Sequence, residues 1–177
     1  MYRIAELIRS GRTVFHTQDL MLLWRMENAN TLYTTIKRYI QKGILFSIRK
    51  GIYSLLPPDK LDPIILGPIL IHKYCYLSTE TILEQAGLMP QIITSLTFVS
   101  ESSQKITYLN RVYAYRQLKP EFLYNKSGVY EVGGTFLATV ERAIADLWYF
   151  NPKYHLDNLS QVDMRQVKKI QKEVGYE

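Results

Sequence analysis

Apolar residues in the first third of the chain recur at a spacing that places them on one face of an α-helix. Three such stretches follow one another, with Gly11 after the first and Gly43 after the third, and glycine is common where helices end. Thr17 and Asn30 carry side chains that can cap the second and third helices. The predicted buried faces are Ile4, Leu7 and Ile8; Leu20, Leu23 and Trp24; and Leu32, Ile36, Tyr39 and Ile40.

After Gly43 the apolar spacing changes to alternation, which predicts a β-hairpin over residues 44–55. The tip of this hairpin carries Arg49, Lys50 and Gly51, and glycine supplies the positive φ that such turns commonly need. Three helices followed directly by a hairpin with a basic tip is the arrangement of a winged helix-turn-helix.

Two consecutive prolines, Pro57 and Pro58, interrupt regular structure and mark a domain boundary. The sequence therefore predicts one domain over residues 1–58 and a second over residues 59–177. The overall fold class is α+β, an N-terminal winged helix-turn-helix followed by a mixed α/β C-terminal domain. The elements predicted for the second domain are helices after Asp62, after Ser78 or Thr79, over 139–150 and over 164–174, and strands over 96–99, 106–108, 112–115 and 129–132.

The net charge of +6 is carried entirely by the N-terminal part of the chain. Residues 1–60 hold ten basic and four acidic side chains, 10 − 4 = +6, whereas residues 61–177 hold twelve of each sign. Such segregation is expected when one domain binds a polyanion and the other does not. A merely solvated basic face is the alternative, and the helix and hairpin pattern around the charges favours nucleic acid.

The third predicted helix turns polar and cationic residues outward when its apolar stripe faces the core. Hydroxyl and amide groups can contact base edges in the major groove, and cations can neutralise phosphates. The hairpin tip would lie over the backbone or the minor groove. Tyr33 fits a base contact and a half-buried packing role equally well. The candidate DNA-binding residues are Thr31, Tyr33, Thr34, Thr35, Lys37, Arg38, Gln41, Lys42, Arg49 and Lys50.

No catalytic, metal-binding or cofactor motif accompanies this basic region, so the sequence predicts no catalytic residue, no metal and no cofactor. His72 and Cys75 have a ligand-like spacing, but no second cysteine completes a tetrahedral site. Arg142 and Asp146, at i and i+4, predict an ion pair on a helix surface. A single cysteine and the absence of a long apolar run predict a cytoplasmic protein that does not span a membrane.

Three short motifs, in order, resemble the AbiEi family, the antitoxins of AbiE-type (type IV) toxin-antitoxin systems of bacteria. The first is Arg49-Lys50-Gly51-Ile52-Tyr53, which resembles the family's wing. The second is Tyr76-Leu77-Ser78 with Leu83 and Gly87-Leu88, and the third is Thr139-Val140-Glu141-Arg142-Ala143 with Asp146.

The resemblance implies a transcriptional autorepressor that binds inverted repeats in its own promoter. It also implies that the C-terminal domain counters a nucleotidyltransferase toxin without holding it in a stable complex. Two protomers on one duplex are expected if operator half-sites lie about 10 base pairs apart.

Two other function classes stay open at this point. A nuclease-like DNA-processing enzyme would require clustered carboxylates and a divalent metal ion. A protein-interaction domain with an incidental basic face would bind no DNA even at low salt.

Overall fold

The structure is a computed structural model that describes residues 2–91 and 94–176. The chain divides into two compact units, residues 1–62 and 63–177, so the division lies a few residues after the predicted boundary. Helices and two β-sheets together make an α+β architecture, as predicted. Within the described ranges, no helix is both long enough and apolar enough to cross a bilayer.

The first unit contains three helices and a small sheet. In chain order its elements are α1 (Tyr2–Arg9), β1 (Val14–His16), α2 (Thr17–Leu23), α3 (Ala29–Gln41), β2 (Phe46–Arg49) and β3 (Ile52–Ser54), followed by a 3-10 turn (Pro58–Lys60).

Strand β1 was not predicted, because it is short and its pairing partner, β3, lies far along the chain. It pairs antiparallel with β3, which also pairs antiparallel with β2, so the sheet order is β1-β3-β2. Helix α2 follows β1 directly, and its N-cap is His16 rather than the predicted Thr17.

One apolar cluster holds the three helices against this sheet. Trp24 packs edge-on against Tyr39 with ring centroids 5.5 Å apart, and its indole N–H donates to the carbonyl oxygen of Arg3 at 3.1 Å. Burial of such large side chains is the main favourable contribution to folding of a unit this small. The buried members are Leu7, Phe15, Leu20, Trp24, Leu32, Ile36, Tyr39, Leu45 and Tyr53.

The second unit alternates helices with strands. Its elements are α4 (Pro63–Ile71), β4 (Cys75–Leu77), α5 (Glu80–Gln85), β5 (Ser95–Ser100), β6 (Gln104–Tyr108), β7 (Arg111–Gln117), α6 (Pro120–Leu123), β8 (Val129–Val132), β9 (Thr135–Ala138), α7 (Val140–Phe150), a 3-10 turn (Leu159–Gln161) and α8 (Met164–Val174). The predictions omitted β4, β9 and α6, each four residues or fewer.

The six strands form one mixed sheet in the order β6-β7-β5-β4-β9-β8. Strands β4 and β9 are parallel, as are β5 and β7, and the remaining pairs are antiparallel. The sheet carries helices on both faces. Tyr115 pairs with Phe98 on one face and its hydroxyl donates to the Gly67 carbonyl of α4 at 2.7 Å, whereas Tyr76 pairs with Val99 on the other face, toward α7.

Candidate nucleic-acid interface

Helix α3 has well-defined ends that fix its length and orientation. Asn28 caps its start: the Asn28 Oδ1 accepts from the backbone N–H of Asn30 at 2.9 Å and of Thr31 at 3.2 Å. The predicted cap, Asn30, instead lies inside the first turn. At the other end Gly43 has a φ of +66° and follows the C-cap Lys42, as predicted for a left-handed terminating residue.

The inner face of α3 is largely as predicted. Leu32, Ile36 and Tyr39 are buried in the apolar cluster. Ile40 is 37% exposed and was wrongly placed in the core, because successive steps of 100° carry it to the margin of the buried stripe. Three buried anchors over two turns prevent α3 from rotating about its own axis, so its opposite face is presented in a fixed orientation.

Thr35, which was predicted to lie on the outer face of α3, lies on its buried side. It is only 5% exposed, and its hydroxyl donates to the Thr31 carbonyl oxygen at 2.9 Å. Its position lies on the same side of the helix as Leu32 and Tyr39, so it belongs to the buried stripe. Thr35 is therefore removed from the candidate contact residues.

The remaining α3 candidates form one continuous exposed surface. Thr31, Thr34, Arg38 and Gln41 follow one another at helical spacings along its length. The Thr34 hydroxyl donates to the Asn30 carbonyl oxygen at 2.9 Å, so its hydrogen is used within the helix and its oxygen can still accept a hydrogen bond. Tyr33 is 54% exposed. The exposed candidates are Thr31, Tyr33, Thr34, Lys37, Arg38, Gln41 and Lys42.

The β2–β3 hairpin supplies the other two candidates. Arg49 pairs with Ile52, and Lys50 and Gly51 form the two-residue tip, where Gly51 has a φ of +81°. A register shift between Ser47 and Arg49 places a β-bulge next to the tip. Bulges turn a strand's side chains and increase its twist. Ile48 is buried while Arg49 and Lys50 are exposed.

Charge in the first unit is unevenly compensated. Residues 1–62 carry ten basic and five acidic side chains, 10 − 5 = +5. Asp19 is already engaged by Arg12, at 2.9 Å, and by the His16 N–H, at 2.8 Å. Burial disfavours its charged form, but these hydrogen bonds outweigh burial and lower the pKa of Asp19.

The cations of α3 and the hairpin tip contrast with Arg12. Within residues 2–91 and 94–176, no carboxylate lies within 4 Å of Lys37, Arg38, Lys42 or Lys50. Their charge is therefore available to an external polyanion.

No protein-family model matches the chain, and a search of curated proteins finds no match. Exposed hydroxyl and amide groups flanked by cations are suited to a duplex, in which base edges lie between two rows of phosphates.

The second unit holds an ion pair that the sequence placed on a helix surface. Arg142 and Asp146 are instead fully buried, and the Arg142 Nε donates to Asp146 Oδ1 at 2.8 Å. The Tyr76 and Ser78 hydroxyls donate to Asp146 Oδ2 at 3.0 and 2.7 Å, and the Tyr176 hydroxyl donates to Oδ1 at 2.5 Å. Two of the short motifs thus meet in one buried cluster.

The other donors of Arg142 go to backbone oxygens and to the hydroxyls of two tyrosines, Tyr76 and Tyr176. Its guanidinium donates to the carbonyl oxygens of Phe122, Asn125 and Ser127 at 3.1, 3.2 and 2.8 Å, and to the Tyr76 hydroxyl at 2.8 Å. Burial opposes its charge, but the attraction of Asp146 outweighs it and raises the pKa of Arg142. The apolar run Ala143-Ile144-Ala145 beside Arg142 was the sequence signal for burial.

The second unit also has an open cavity of about 380 Å³, lined by Glu80, Thr97, Lys105 and Arg116 among others. An ion pair joins Arg116 to Glu80 beside it. Among the described residues, no three histidine, cysteine or carboxylate side chains lie close enough together to hold a metal ion.

Proposed function

We propose that residues 1–62 form a winged helix-turn-helix that binds double-stranded DNA. Two features support this: the element order helix, strand, helix, helix, strand, strand, and the sheet order β1-β3-β2, which makes β2–β3 the wing. In this proposal α3 enters the major groove and the wing lies along the adjacent backbone.

The contact residues divide by chemistry. Thr31, Thr34 and Gln41 supply the groups for base edges, since threonine contacts several bases and glutamine can pair with adenine. Tyr33, at the side of this face, is also assigned to the base contacts. Lys37, Arg38 and Lys42 neutralise phosphates beside the groove, and Arg49 and Lys50 do so from the wing.

The second unit is proposed to give the protein its regulatory role. With the motifs that resemble the AbiEi family, the proposed function is a sequence-specific autorepressor and the antitoxin of a type IV toxin-antitoxin system. It would bind promoter inverted repeats, two protomers to a site, and counter a nucleotidyltransferase toxin without a stable complex. The convergence of Tyr76, Ser78, Arg142 and Asp146 supports these motifs as one structural unit.

The observation that carries the DNA-binding proposal is the row of exposed cations on α3, for which the described residues offer no carboxylate within 4 Å. The direct test is selection of binding sites from a random duplex library, followed by fluorescence anisotropy with the selected duplex at several salt concentrations. We expect log Kd to rise with log salt by about 0.9 for each phosphate neutralised.

A charge-matched comparison sharpens this test. Lys37→Ala with Arg38→Ala removes two cations from α3, and Arg165→Ala with Lys168→Ala removes two exposed cations from α8. The first pair should lower the salt slope by about 1.8, and the second should leave it unchanged. Equal slopes for both double variants, or no binding by the wild type at low salt, would refute the proposal.

A further inference from the structure

The tip of the hairpin is fastened to the start of α2. Two donors on Thr17 share one acceptor at the tip: the backbone N–H reaches the Gly51 carbonyl oxygen at 2.9 Å, and the hydroxyl reaches it at 3.2 Å. These atoms belong to residues 34 positions apart in the chain. A hairpin tip of two residues has few other ways to be held, since its own ladder ends at the pair Arg49 and Ile52.

The conformation of Gly51 and the pairing of Ile52 both constrain the chain at the tip. Gly51 has a φ of +81°, and a Cβ at this position would lie 3.4 Å from the Thr17 Oγ1. On the other side of β3, His16 pairs with Ile52. Ile52, the residue after the tip, is therefore paired with a strand on each side, and the tip itself is held by Thr17.

The anchoring residue is itself fixed. Asp19, in the same first turn, accepts from the His16 N–H at 2.8 Å and from Arg12 at 2.9 Å. Because Leu20 is fully buried in the apolar cluster, the start of α2 cannot shift without disturbing the core. Thr17 thus connects the hairpin tip to a rigid part of the unit.

We propose that Thr17 is the positioning residue of the wing. Its hydroxyl holds the Gly51 carbonyl, and thereby the adjacent Lys50, in the orientation that contacts DNA before DNA arrives. Ordering a loop in advance removes the entropic cost of ordering it on binding. The inference rests on the proposed DNA-binding function, and it assigns to Thr17 no contact with DNA.

The variants are chosen to separate the hydroxyl from the rest of the side chain. Thr17→Val keeps the shape and the backbone N–H but removes the hydroxyl donor, and Thr17→Ser retains the donor. Thr13→Val is the matched control, because the Thr13 side chain makes no hydrogen bond within the described part of the chain. We expect Thr17→Val to weaken DNA binding by roughly twofold to tenfold, the range for one neutral hydrogen bond. Thr17→Ser and Thr13→Val should bind like the wild type.

A second background shows whether Thr17 acts through the wing. In a protein that already carries Arg49→Ala and Lys50→Ala, Thr17→Val should cause no further loss, because the positioned cations are gone. An undiminished loss in that background, or wild-type affinity for Thr17→Val alone, overturns the proposal.

A measurement without DNA distinguishes failure of this inference from failure of the proposed function. The heteronuclear NOE of the Lys50 and Gly51 amides should fall in Thr17→Val and stay at the wild-type value in Thr17→Ser. If the wild type binds no DNA, the proposed function is wrong, and with it the role of Thr17 in DNA contact. If the NOE values do not change, the tip is not held by the Thr17 hydroxyl, whatever the DNA measurements give.

Discussion

Arg38 in the first unit and Arg142 in the second both lie on helices, but their surroundings are opposite. Arg38 is exposed, and within the described residues no carboxylate lies within 4 Å of it. Arg142 is fully buried and directs its donors to Asp146, to Tyr76 and to backbone oxygens. An arginine thus stabilises a fold when its donors are used internally, and can bind a partner when they are not.

The largest expected effect comes from breaking the buried pair. Arg142→Ala leaves the Asp146 carboxylate buried without its cation, which should lower the free energy of unfolding of the second unit by about 3–5 kcal/mol. Urea unfolding followed by far-UV circular dichroism measures this loss. Arg165→Ala, which removes an exposed arginine of α8, should change stability by less than about 0.5 kcal/mol. Similar losses for the two variants would contradict the burial of Arg142.

Alkaline pH should weaken the second unit. Burial raises the pKa of Cys75 from its usual 9 to about 12, and burial together with Asp146 raises the pKa of Tyr76 and of Tyr176. The folded state therefore keeps protons that the unfolded chain releases, so stability is complete below pH 9 and falls as pH rises above it. Cys75 alone contributes about 1.4 kcal/mol per pH unit between pH 9 and 12.

The measurement for this prediction is urea unfolding from pH 8 to 11. Cys75→Ala should shift the start of the decline toward pH 10, where the tyrosines begin to contribute. A free energy of unfolding that stays constant to pH 10.5 would show that the thiol is not held neutral by the fold.

Removing the exposed Arg38 should weaken DNA binding and leave stability unchanged. Arg38→Ala should weaken binding to the selected duplex by about tenfold and lower the salt slope by about 0.9, because one phosphate contact is lost. Its unfolding free energy should stay within about 0.5 kcal/mol of the wild type. A destabilised protein with unchanged DNA affinity would show that Arg38, like Arg142, stabilises the fold and does not contact DNA.

The smallest expected effect concerns the start of α3. Asn28→Ala removes the acceptor for two backbone N–H groups and should cost about 1 kcal/mol of stability in the first unit. Asn30→Ala changes a neighbouring asparagine whose side chain makes no hydrogen bond within the described residues. In thermal unfolding, Asn28→Ala should therefore have a lower Tm than Asn30→Ala. The opposite order would assign the cap to Asn30.

Long periodic segments could be predicted from sequence because many residues repeat the same signal. The inward anchors Leu32, Ile36 and Tyr39 and the terminating Gly43 lie as predicted. The predicted strand over 129–132 agrees with β8 at both ends. The errors on α3, Thr35 and Ile40, lie at the two margins of the buried stripe, where one helical step of 100° decides burial and only the packed partners settle it.

Strands β1 and β4 and the buried ion pair could not be predicted in the same way. Strands β1 and β4 have three residues each, and their place in the sheets depends on partners distant in sequence. An arginine and an aspartate at i and i+4 have the same spacing on an exposed face as on a buried one. The polar groups that make burial tolerable come from Tyr76, Ser78 and Tyr176, which lie far away in the chain.

The carbonyl oxygens held by Arg142 have a consequence for the order of folding during synthesis. Phe122, Asn125 and Ser127 leave the ribosome 15 to 20 residues before the arginine that they contact. The carbonyl oxygens at this connection between α6 and β8 therefore lack the Arg142 donors until α7 has been translated and has docked. We expect this connection to gain protection from proteolysis in stalled nascent chains only after α7 has emerged from the exit tunnel.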